Sequence, residues 1–382
     1  MPMFKRFFDL KRGLTKNSFF LFGPRGTGKS YWIKKTLAGV PVFDLLDSDV
    51  HDRLMRRPRQ LSEEIGSGVK SVVIDEIQKL PRLLDEVHRL IEERGIHFLL
   101  TGSSARKLRR GGANMLGGRA WEASFYPLTW AEIPGFDLLR YVNRGGLPKV
   151  LLSRFPEEDL KAYTRLYIHE EVKAEALSRN IENFVRFLDV LALSNGTEIN
   201  YQNLASDAGV PPRTIENYIS VLKDTLMGFE LSPFLATKKR KAITRSKFYF
   251  FDIGVVNHIT KRTPISAGNP AFGDAFEHFV VMEVRAFLGL TRKDAALQFW
   301  RTKNGFEVDL VIGDELAVEV KATKQVSPKH LKGLRALKEE GLVKGHAIVS
   351  LDPVTREMAP GIRAVYWEDF LKLLWAGRLL SG

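Results

Sequence analysis

A glycine-rich segment near the start of the chain has the residue types and spacing of a phosphate-binding loop. Residues 19–30 read FFLFGPRGTGKS, which contains the pattern Gly-x-x-x-x-Gly-Lys-Ser between an apolar run and a helical stretch. Glycines let backbone N–H groups point at phosphate oxygens, and the following helix directs its positive end at the same anion. We expect Lys29 to reach the β- and γ-phosphates of ATP and Ser30 to bind Mg²⁺. The predicted nucleotide-binding residues of this loop are Gly23, Pro24, Arg25, Gly26, Thr27, Gly28, Lys29 and Ser30.

Two acids at the end of a nearby apolar run complete a candidate hydrolysis site. Residues 71–76 read SVVIDE, and parallel sheets bind ligands at the edge where their strands end. We expect Asp75 to hold the magnesium ion, directly or through water, and Glu76 to act as general base on the attacking water. The alternatives are a glycine-rich turn that contains a lysine by chance and a strand that ends in two solvated acids.

Two further polar positions are candidates for contact with the γ-phosphate. The apolar run HFLLTG is followed by Ser103 and Ser104, either of which would sense hydrolysis beside the strand of Asp75, although a simple turn is the alternative. Arg119, in LGGRA, is a candidate arginine finger that acts in its own chain or from a neighbouring subunit. An ordinary solvated arginine is the alternative.

Three carboxylates and a lysine in the C-terminal third have the types needed for metal-dependent phosphodiester chemistry. Glu277 lies in a helical stretch, and Asp309 lies in a predicted strand. Glu319 and Lys321 alternate in the next strand and therefore share a face. The carboxylates would bind Mg²⁺ or Mn²⁺, and the lysine would orient the metal-activated water or neutralise the transition state. The spacing Asp-x₉-Glu-x-Lys resembles the Asp/Glu-x-Lys nuclease core; the alternatives are a solvated hairpin and a nuclease fold that has lost activity and only binds DNA.

A candidate DNA-binding segment lies between these two groups of residues. Residues 201–222 read YQNLASDAGVPPRTIENYISVL, in which a glycine separates two helical stretches as in a helix-turn-helix. The side chains expected on the exposed side of the second helix are Arg213, Thr214, Asn217 and Tyr218. A predicted hairpin follows as a wing, and the cations between its arms are Lys238, Lys239, Arg240, Lys241, Arg245 and Lys247. The alternatives are a packing or protein-contact module and a solvated charge run.

The rest of the sequence must supply the elements that position these residues. A length of 382 residues predicts two or three domains. From residue 18 to about 125, the apolar runs FFLF, PVFDLL, SVVID, HFLLTG and AWEASFYPL alternate with helical patterns, which predicts an α/β fold with a parallel sheet. The predicted pieces are residues 1–150 for this core, 151–196 for a helical lid or linker, 197–260 for the winged helix-turn-helix and 261–382 for a C-terminal α/β domain.

The composition of the chain indicates which class of partner it binds and in which cellular compartment it works. The 58 Lys and Arg exceed the 45 Asp and Glu by 13, which favours a polyanionic partner, with nucleic acid ahead of a membrane surface. A basic protein without such a partner is the alternative. The absence of cysteine excludes disulfides, thiolate metal sites and a cysteine nucleophile. No apolar run approaches the roughly 20 residues of a membrane span and the start is not a secretory signal, so we expect a cytoplasmic protein without membrane contact.

The order of several short motifs carries a resemblance over nearly the whole chain. After the phosphate-binding loop come IDEIQKLP, LLTGSS, LGGRAWEASFYPLTWAEI and GGLPKV. This order resembles the prokaryotic AAA-type ATPases that carry a C-terminal domain of unknown function of the DUF4143 type, whose C-terminal half resembles restriction-endonuclease-like nucleases. The resemblance implies an AAA-type P-loop core that binds and hydrolyses ATP, and a nuclease-like C-terminal domain.

These features together predict an ATP-hydrolysing protein with Mg²⁺ as cofactor, DNA as partner, and a C-terminal Mg²⁺ or Mn²⁺ site for DNA cleavage. Nucleotide state would gate the access of DNA to that site. An ATP-dependent regulator or scaffold that binds DNA or protein and cuts nothing is the second hypothesis. A small-molecule kinase is a third, against which the long C-terminal half argues. The oligomeric state stays open, and a homo-oligomer is one alternative.

Overall fold

The chain divides into two units in the computed structural model, which describes residues 4–102, 108, 116–167, 181–262 and 264–380. The first unit contains Met1–Leu128 and Asp224–Met227, and the second contains Thr129–Lys223 and Gly228–Gly382. The four pieces that we drew from the sequence remain a prediction.

The first unit is built around a parallel sheet of five strands. The strands are β1 (Ser18–Phe22), β2 (Val42–Asp44), β3 (Ser71–Asp75), β4 (His97–Gly102) and β5 (Ala120–Ser124). The helices are α1 (Leu10–Leu14), α2 (Lys29–Thr36), α3 (Ser48–Arg56), α4 (Gln60–Glu64) and α5 (Leu83–Arg94). The strand order is β2-β3-β4-β1-β5, and all neighbouring strands are parallel. The predicted α/β fold with a parallel sheet is therefore confirmed.

The two faces of this sheet are covered by separate sets of apolar side chains. Phe20 and Phe22 of β1 pack into a cluster with apolar residues of α3, α4 and α5. Phe19 and Leu21 pack on the other face with Trp32 of α2. Because successive side chains of a strand point to opposite faces, a strand that is covered on both sides reads as an uninterrupted apolar run. This is why the apolar runs identified the strands.

The second unit contains a mixed sheet of eight strands. The strands are β6 (Gly228–Pro233), β7 (Lys247–Phe250), β8 (Leu297–Arg301), β9 (Glu307–Ile312), β10 (Leu316–Lys321), β11 (Gly345–Ser350), β12 (Arg356–Ala359) and β13 (Ile362–Tyr366). The helices are α6 (Leu138–Arg144), α7 (Pro148–Leu152), α8 (Pro156–Tyr167), α9 (Ile181–Leu193), α10 (Tyr201–Ala208), α11 (Pro212–Asp224), α12 (Ile253–Thr260), α13 (Pro270–Thr291), α14 (Lys332–Lys338) and α15 (Trp367–Trp375). None of the helices in the described ranges combines the length and apolar composition that crossing a bilayer requires.

The hairpin of β6 and β7 is part of the C-terminal sheet. The strand order is β12-β13-β11-β10-β9-β8-β6-β7, and β6 joins β8 in parallel through Ser232 opposite Gln298 and Pro233 opposite Phe299. The hairpin that we predicted as the wing of a DNA-binding module thus continues the sheet that carries Asp309 and Glu319.

Helices α10 and α11 correspond to the two predicted helices of the helix-turn-helix. Gly209 follows α10 in a left-handed conformation, with φ of 67°, as the glycine turn requires. The prediction that Tyr218 is exposed on α11 is wrong, because its side chain is 3% exposed and packs against Phe184 and Phe187 of α9. Position 218 lies three residues after the buried Ile215 and therefore falls on the same helical face.

Candidate functional site

The glycines of the phosphate-binding loop adopt conformations and contacts that other residues would not tolerate. Gly26 and Gly28 have φ of 75° and 89°, and Gly28 is the N-cap of α2. A Cβ atom on Gly23 would lie 2.5 Å from the carbonyl oxygen of Phe125. The sequence therefore forms a tight loop at the end of β1, with the N-terminus of α2 directly behind it.

Lys29 is held inside this loop. Its Nζ atom donates to the carbonyl oxygens of Gly23 at 2.5 Å and Pro24 at 3.1 Å, and the side chain is buried. The hydroxyl of Thr27 donates to the same Pro24 oxygen at 2.8 Å, whereas Ser30 is exposed at the start of α2. An ammonium group, a hydroxyl and glycine backbone at the positive end of a helix are the groups that a triphosphate and its Mg²⁺ require.

Asp75 and Glu76 lie at the same edge of the sheet as this loop. The strands β3, β4 and β1 are parallel neighbours in that order, so their carboxyl ends meet at one edge. The backbone N–H of Gly23 donates to the carbonyl oxygen of Gly102 at 3.3 Å, which ties the loop to the end of β4. Both acids are buried. This is the edge at which the sequence predicts a Mg²⁺ ligand and a general base, and these two roles remain predictions.

Two residues that the sequence reasoning missed hold these acids. The hydroxyl of Thr101, on β4, donates to Asp75 Oδ1 and accepts from the backbone N–H of Glu76 at 3.3 Å. The Nε2 atom of Gln78 donates to Glu76 Oε2. Glu76 has φ of 59°, which is unusual for a residue other than glycine and is maintained here by these partners. The signal was present, since both residues fall within the motifs IDEIQKLP and LLTGSS. The predicted sensor Ser103, and Ser104 beside it, lie outside the described residues.

Arg119 lies far from the phosphate-binding loop within its own chain. It directly precedes β5, which pairs in parallel with β1 so that Ser18 is opposite Ala120. It therefore lies at the edge where the strands begin, about 16 Å from the edge where five-residue strands end. Its Nε atom binds the carboxylate of Glu92 on α5. This position does not fit an arginine finger that acts in cis, and the action from a neighbouring subunit remains a prediction.

The second unit brings together Asp309, Glu319 and Lys321. Asp309 is on β9, and Glu319 and Lys321 are on β10, its antiparallel neighbour. Lys321 Nζ lies 2.6 Å from Glu319 Oε1 and 3.7 Å from Asp309 Oδ2, and that Asp309 oxygen also accepts from the backbone N–H of Val320 at 2.7 Å. The Oε2 atom of Glu319 is buried without a hydrogen-bond partner.

A second lysine joins this cluster, and the sequence did not indicate it. Lys247, which we assigned to the basic wing, is buried at the start of β7. Its Nζ atom lies 2.8 Å from Glu307 Oε1 and 3.6 Å from Glu277 Oε1. The same Glu277 oxygen accepts a hydrogen bond from the hydroxyl of Tyr249 at 2.6 Å. We call the four acids Glu277, Glu307, Asp309 and Glu319 with Lys247 and Lys321 the carboxylate–lysine cluster.

Burial has the largest effect on the pKa values of Glu277, Glu319 and Lys321 in this cluster. Burial, followed by the charge of Asp309, raises the pKa of Glu319 to about 8. The same two causes raise the pKa of Glu277 to about 7, although a quarter of that side chain is still reached by solvent. Burial lowers the pKa of Lys321, but Asp309 and Glu319 outweigh it, so its pKa lies above the ordinary value. Both glutamates therefore bind protons near neutral pH, and a divalent cation would displace those protons.

The predicted metal ligands Glu277, Asp309 and Glu319 fit Mg²⁺ or Mn²⁺ by their chemistry. Hard carboxylate oxygens suit both ions, and the unpartnered buried oxygen of Glu319 suits a cation. Over the residues that the structure describes, however, no group of three or more acids or histidines has an arrangement that could hold a metal ion. The lysine ammonium groups take the place of a cation among these carboxylates.

The predicted DNA-binding residues divide into exposed and paired groups. The exposed residues are Arg213 and Asn217 on α11 and Lys238, Lys239, Lys241 and Arg245 before β7, and among them Lys239 Nζ also donates to the backbone oxygen of Glu339. Arg240 instead pairs with Glu339 and with Glu340 at 3.3 Å, near the C-terminal end of α14. The backbone N–H groups of Lys238 and Lys239 donate to Glu340 Oε2 at 3.0 and 2.9 Å. The acids that neutralise part of this cationic run lie about 100 residues away in sequence, where the run itself could not reveal them.

Comparisons with known proteins match three parts of the chain. Residues 15–134 match the AAA domain, residues 135–266 match a domain of unknown function (DUF8612), and residues 272–359 match a domain of unknown function (DUF4143). Uncharacterized protein Rv2008c of Mycobacterium tuberculosis is 26% identical and aligns with 83% of this chain and 73% of its own length. Uncharacterized protein MJ1637 of Methanocaldococcus jannaschii is 21% identical over 94% of this chain and 85% of its own length.

A solved structure also aligns with the chain. It is a Signal Transduction ATPase with Numerous Domains from Pyrococcus horikoshii that carries a tetratricopeptide repeat sensor. The match has 13% identity and a TM-score of 0.21, and it covers 77% of this chain and 49% of that protein.

Proposed function

We propose that this chain, which joins an AAA-type ATPase domain at residues 15–134 to a DUF4143 domain at residues 272–359, uses ATP hydrolysis to control the binding and cleavage of DNA. The match of residues 15–134 to the AAA domain supports an ATP-binding ATPase. The observation that supports cleavage is the meeting of Asp309, Glu319 and Lys321 on adjacent strands, with the unpartnered oxygen of Glu319 among them.

The proposed ATPase site uses the residues at the carboxyl edge of the parallel sheet. Lys29 and the loop backbone would bind the phosphates, and Ser30 and Asp75 would hold Mg²⁺, whose charge would neutralise that of the phosphates. Glu76 takes a proton from the attacking water while the water oxygen forms a bond to the γ-phosphorus. The bond between the γ-phosphorus and the oxygen that leaves with ADP breaks in the same step. Thr101 and Gln78 are positioning residues in this proposal, because their hydrogen bonds hold Asp75 and Glu76.

The proposed cleavage site uses the carboxylate–lysine cluster. Asp309 and Glu319 would hold Mg²⁺ or Mn²⁺, which supplies an activated water and stabilises negative charge on the scissile phosphate. Lys321 would orient that water or neutralise the phosphorane, since its ammonium group already contacts both carboxylates. The exposed cations Arg213, Lys238, Lys239 and Lys241, with Asn217, would bind the DNA backbone and groove. Arg240 is not assigned to DNA, because its guanidinium group pairs with Glu339 and Glu340 directly after α14.

A second candidate function is an ATP-dependent regulator or scaffold that binds DNA or protein and cuts nothing. The observation that favours it is the pairing of every acid in the carboxylate–lysine cluster with a lysine, together with the absence of a three-ligand metal group from the described part of the chain. A nuclease fold in which ammonium groups replace the metal would bind DNA without cleaving it.

Two assays run side by side separate these functions. ATP hydrolysis is measured with and without DNA, and nicking of supercoiled plasmid is measured in Mg²⁺ and in Mn²⁺. We expect Lys29→Ala to abolish ATP hydrolysis. We expect Asp309→Ala to abolish nicking while ATP hydrolysis continues at the wild-type rate. Failure of the wild-type protein to nick any DNA in Mn²⁺ would contradict the cleavage proposal and support the regulator.

A further inference from the structure

Lys247 is a buried cation in the carboxylate–lysine cluster, in addition to the Lys321 that the sequence predicts there. It is the first residue of β7, its side chain is 3% exposed, and its Nζ atom lies 5.2 Å above the ring centre of Phe299. A buried ammonium group is costly unless negative charge surrounds it. Glu307 at 2.8 Å and Glu277 at 3.6 Å supply that charge.

The two lysines divide the four carboxylates into two halves. Lys321 contacts Asp309 and Glu319, and no contact between Lys321 and Glu307 occurs among the described ion pairs within 4 Å. Lys247 contacts Glu277 and Glu307. Glu277 is further restrained, because the oxygen that faces Lys247 also accepts from the Tyr249 hydroxyl at 2.6 Å. Arg301 Nε also lies 3.7 Å from Glu307 Oε2, but that arginine is 43% exposed, so Lys247 is the buried cation of this half.

The halves differ in what they offer to a divalent ion. In the Asp309–Glu319 half, Lys321 is partly exposed and Glu319 Oε2 has no hydrogen-bond partner, so a metal ion has an oxygen to bind and a lysine that is able to move aside. In the Glu277–Glu307 half, Lys247 is buried and its Nζ occupies the space between the carboxylates. A divalent ion placed beside that ammonium group would be repelled strongly in a poorly solvated site.

We propose that Lys247 is a built-in cation that limits the carboxylate–lysine cluster to one divalent metal ion, bound through Asp309 and Glu319, and that keeps Glu277 out of the ligand shell. This inference rests on the proposed metal-dependent function. Lys247 is a positioning residue, since it acts through Glu277 and Glu307. It replaces our prediction that Glu277 completes the metal shell.

The test is the number of Mn²⁺ ions that the nucleotide-free full-length protein binds, measured by isothermal titration calorimetry. Asp309→Asn is the reference variant, because it lacks a proposed metal ligand of the cluster. The number of cluster ions in any other variant is the number of Mn²⁺ ions that it binds above the number bound by Asp309→Asn. We expect the wild-type protein to bind one more Mn²⁺ than Asp309→Asn. We expect Lys247→Met to bind two more, because Glu277 and Glu307 are released, and Lys247→Arg to return to one, because the cation is restored.

A second neutral variant covers the case in which Lys247→Met does not fold. Lys247→Gln removes the positive charge, retains an N–H donor for Glu307 and leaves both carboxylates in place, so it should also bind two more Mn²⁺ than Asp309→Asn. Two cluster ions in the wild-type protein, or only one in a folded neutral variant of Lys247, would overturn the role of Lys247 and leave the metal site itself intact. Equal Mn²⁺ binding by the wild-type protein and Asp309→Asn would instead overturn the metal-dependent function on which the inference rests.

Discussion

Thr101 is the residue whose side chain connects both acids of the ATPase site. Its hydroxyl donates to Asp75 and accepts from the backbone of Glu76, and all three groups are buried. Thr101→Val keeps the shape and removes both hydrogen bonds, so we expect ATP hydrolysis to slow by about 10- to 100-fold, a loss of about 1–3 kcal/mol of stabilisation. Binding of a non-hydrolysable analogue should change less. Thr302→Val is the matched control, since Thr302 is also a buried threonine but belongs to the second unit. An equal loss of ATP hydrolysis in Thr302→Val would contradict the role of Thr101.

Glu319 makes the protein's stability depend on pH in an unusual direction. Burial and Asp309 raise its pKa from the ordinary value of 4.5 to about 8, so the folded protein keeps a proton that the unfolded chain loses. The free energy of unfolding should therefore decrease as the pH rises from about 4.5 to about 8. Urea titrations at pH 6 and pH 8 measure this decrease, and Glu319→Gln should reduce it. Mn²⁺ should bind more tightly at pH 8, because the metal competes with this proton.

At the scale of elements, α13 carries two carboxylates that belong to different hydrogen-bonded groups of the second unit. Glu277, in the carboxylate–lysine cluster, and Glu283 lie on this helix. Glu283 is buried, and its carboxylate accepts from the backbone N–H of Trp130 and from Nε1 of Trp375 on α15, both at 2.8 Å. Glu283 therefore holds the backbone of Trp130 and the indole of Trp375 against α13 within the second unit.

Loss of this anchor should destabilise the second unit. Glu283→Leu removes the acceptor of the buried Trp375 Nε1 and of the partly buried Trp130 N–H, and we expect the free energy of unfolding in urea to fall by about 2–4 kcal/mol. Glu283→Gln retains one acceptor and should be destabilised less. Asp274→Leu, at an exposed position of the same helix, should change stability by less than about 0.5 kcal/mol. A Glu283→Leu protein with wild-type stability would show that these hydrogen bonds do not stabilise the second unit.

The parallel sheet and the two helices α10 and α11 were predictable because their signals are local. Apolar runs such as SVVID and the glycine between α10 and α11 each depend on a few consecutive residues. The attachment of β6 to β8 was not predictable, because it consists of two residue pairs that join positions 66 residues apart. Lys247 was misassigned for the same reason. A lysine in a basic run is expected to be solvated, and its contacts with Glu277 of α13 and Glu307 of β9 form only in the folded chain.

At the scale of the whole molecule, the net charge of +13 is the property that bears on DNA. We expect DNA affinity to fall steeply with salt, because bound phosphates release counterions. Replacing Lys238, Lys239 and Lys241 by alanine should weaken binding and reduce the slope of log Kd against log salt by about 0.9 for each DNA phosphate that is no longer neutralised. Lys344→Ala is the control, since this exposed lysine pairs with Asp314. An unchanged slope in the triple variant would show that these three lysines of the wing do not bind DNA phosphates.

The central claim is that one chain uses nucleotide to control a phosphodiester-cleaving site, and plasmid nicking at fixed Mn²⁺ with and without ATP tests it most directly. We predict that ATP changes the nicking rate of the wild-type protein, that Lys29→Ala nicks at one rate in both conditions, and that Asp309→Ala does not nick. Nicking that is absent in every nucleotide state, or that persists unchanged in Asp309→Ala, would contradict the account.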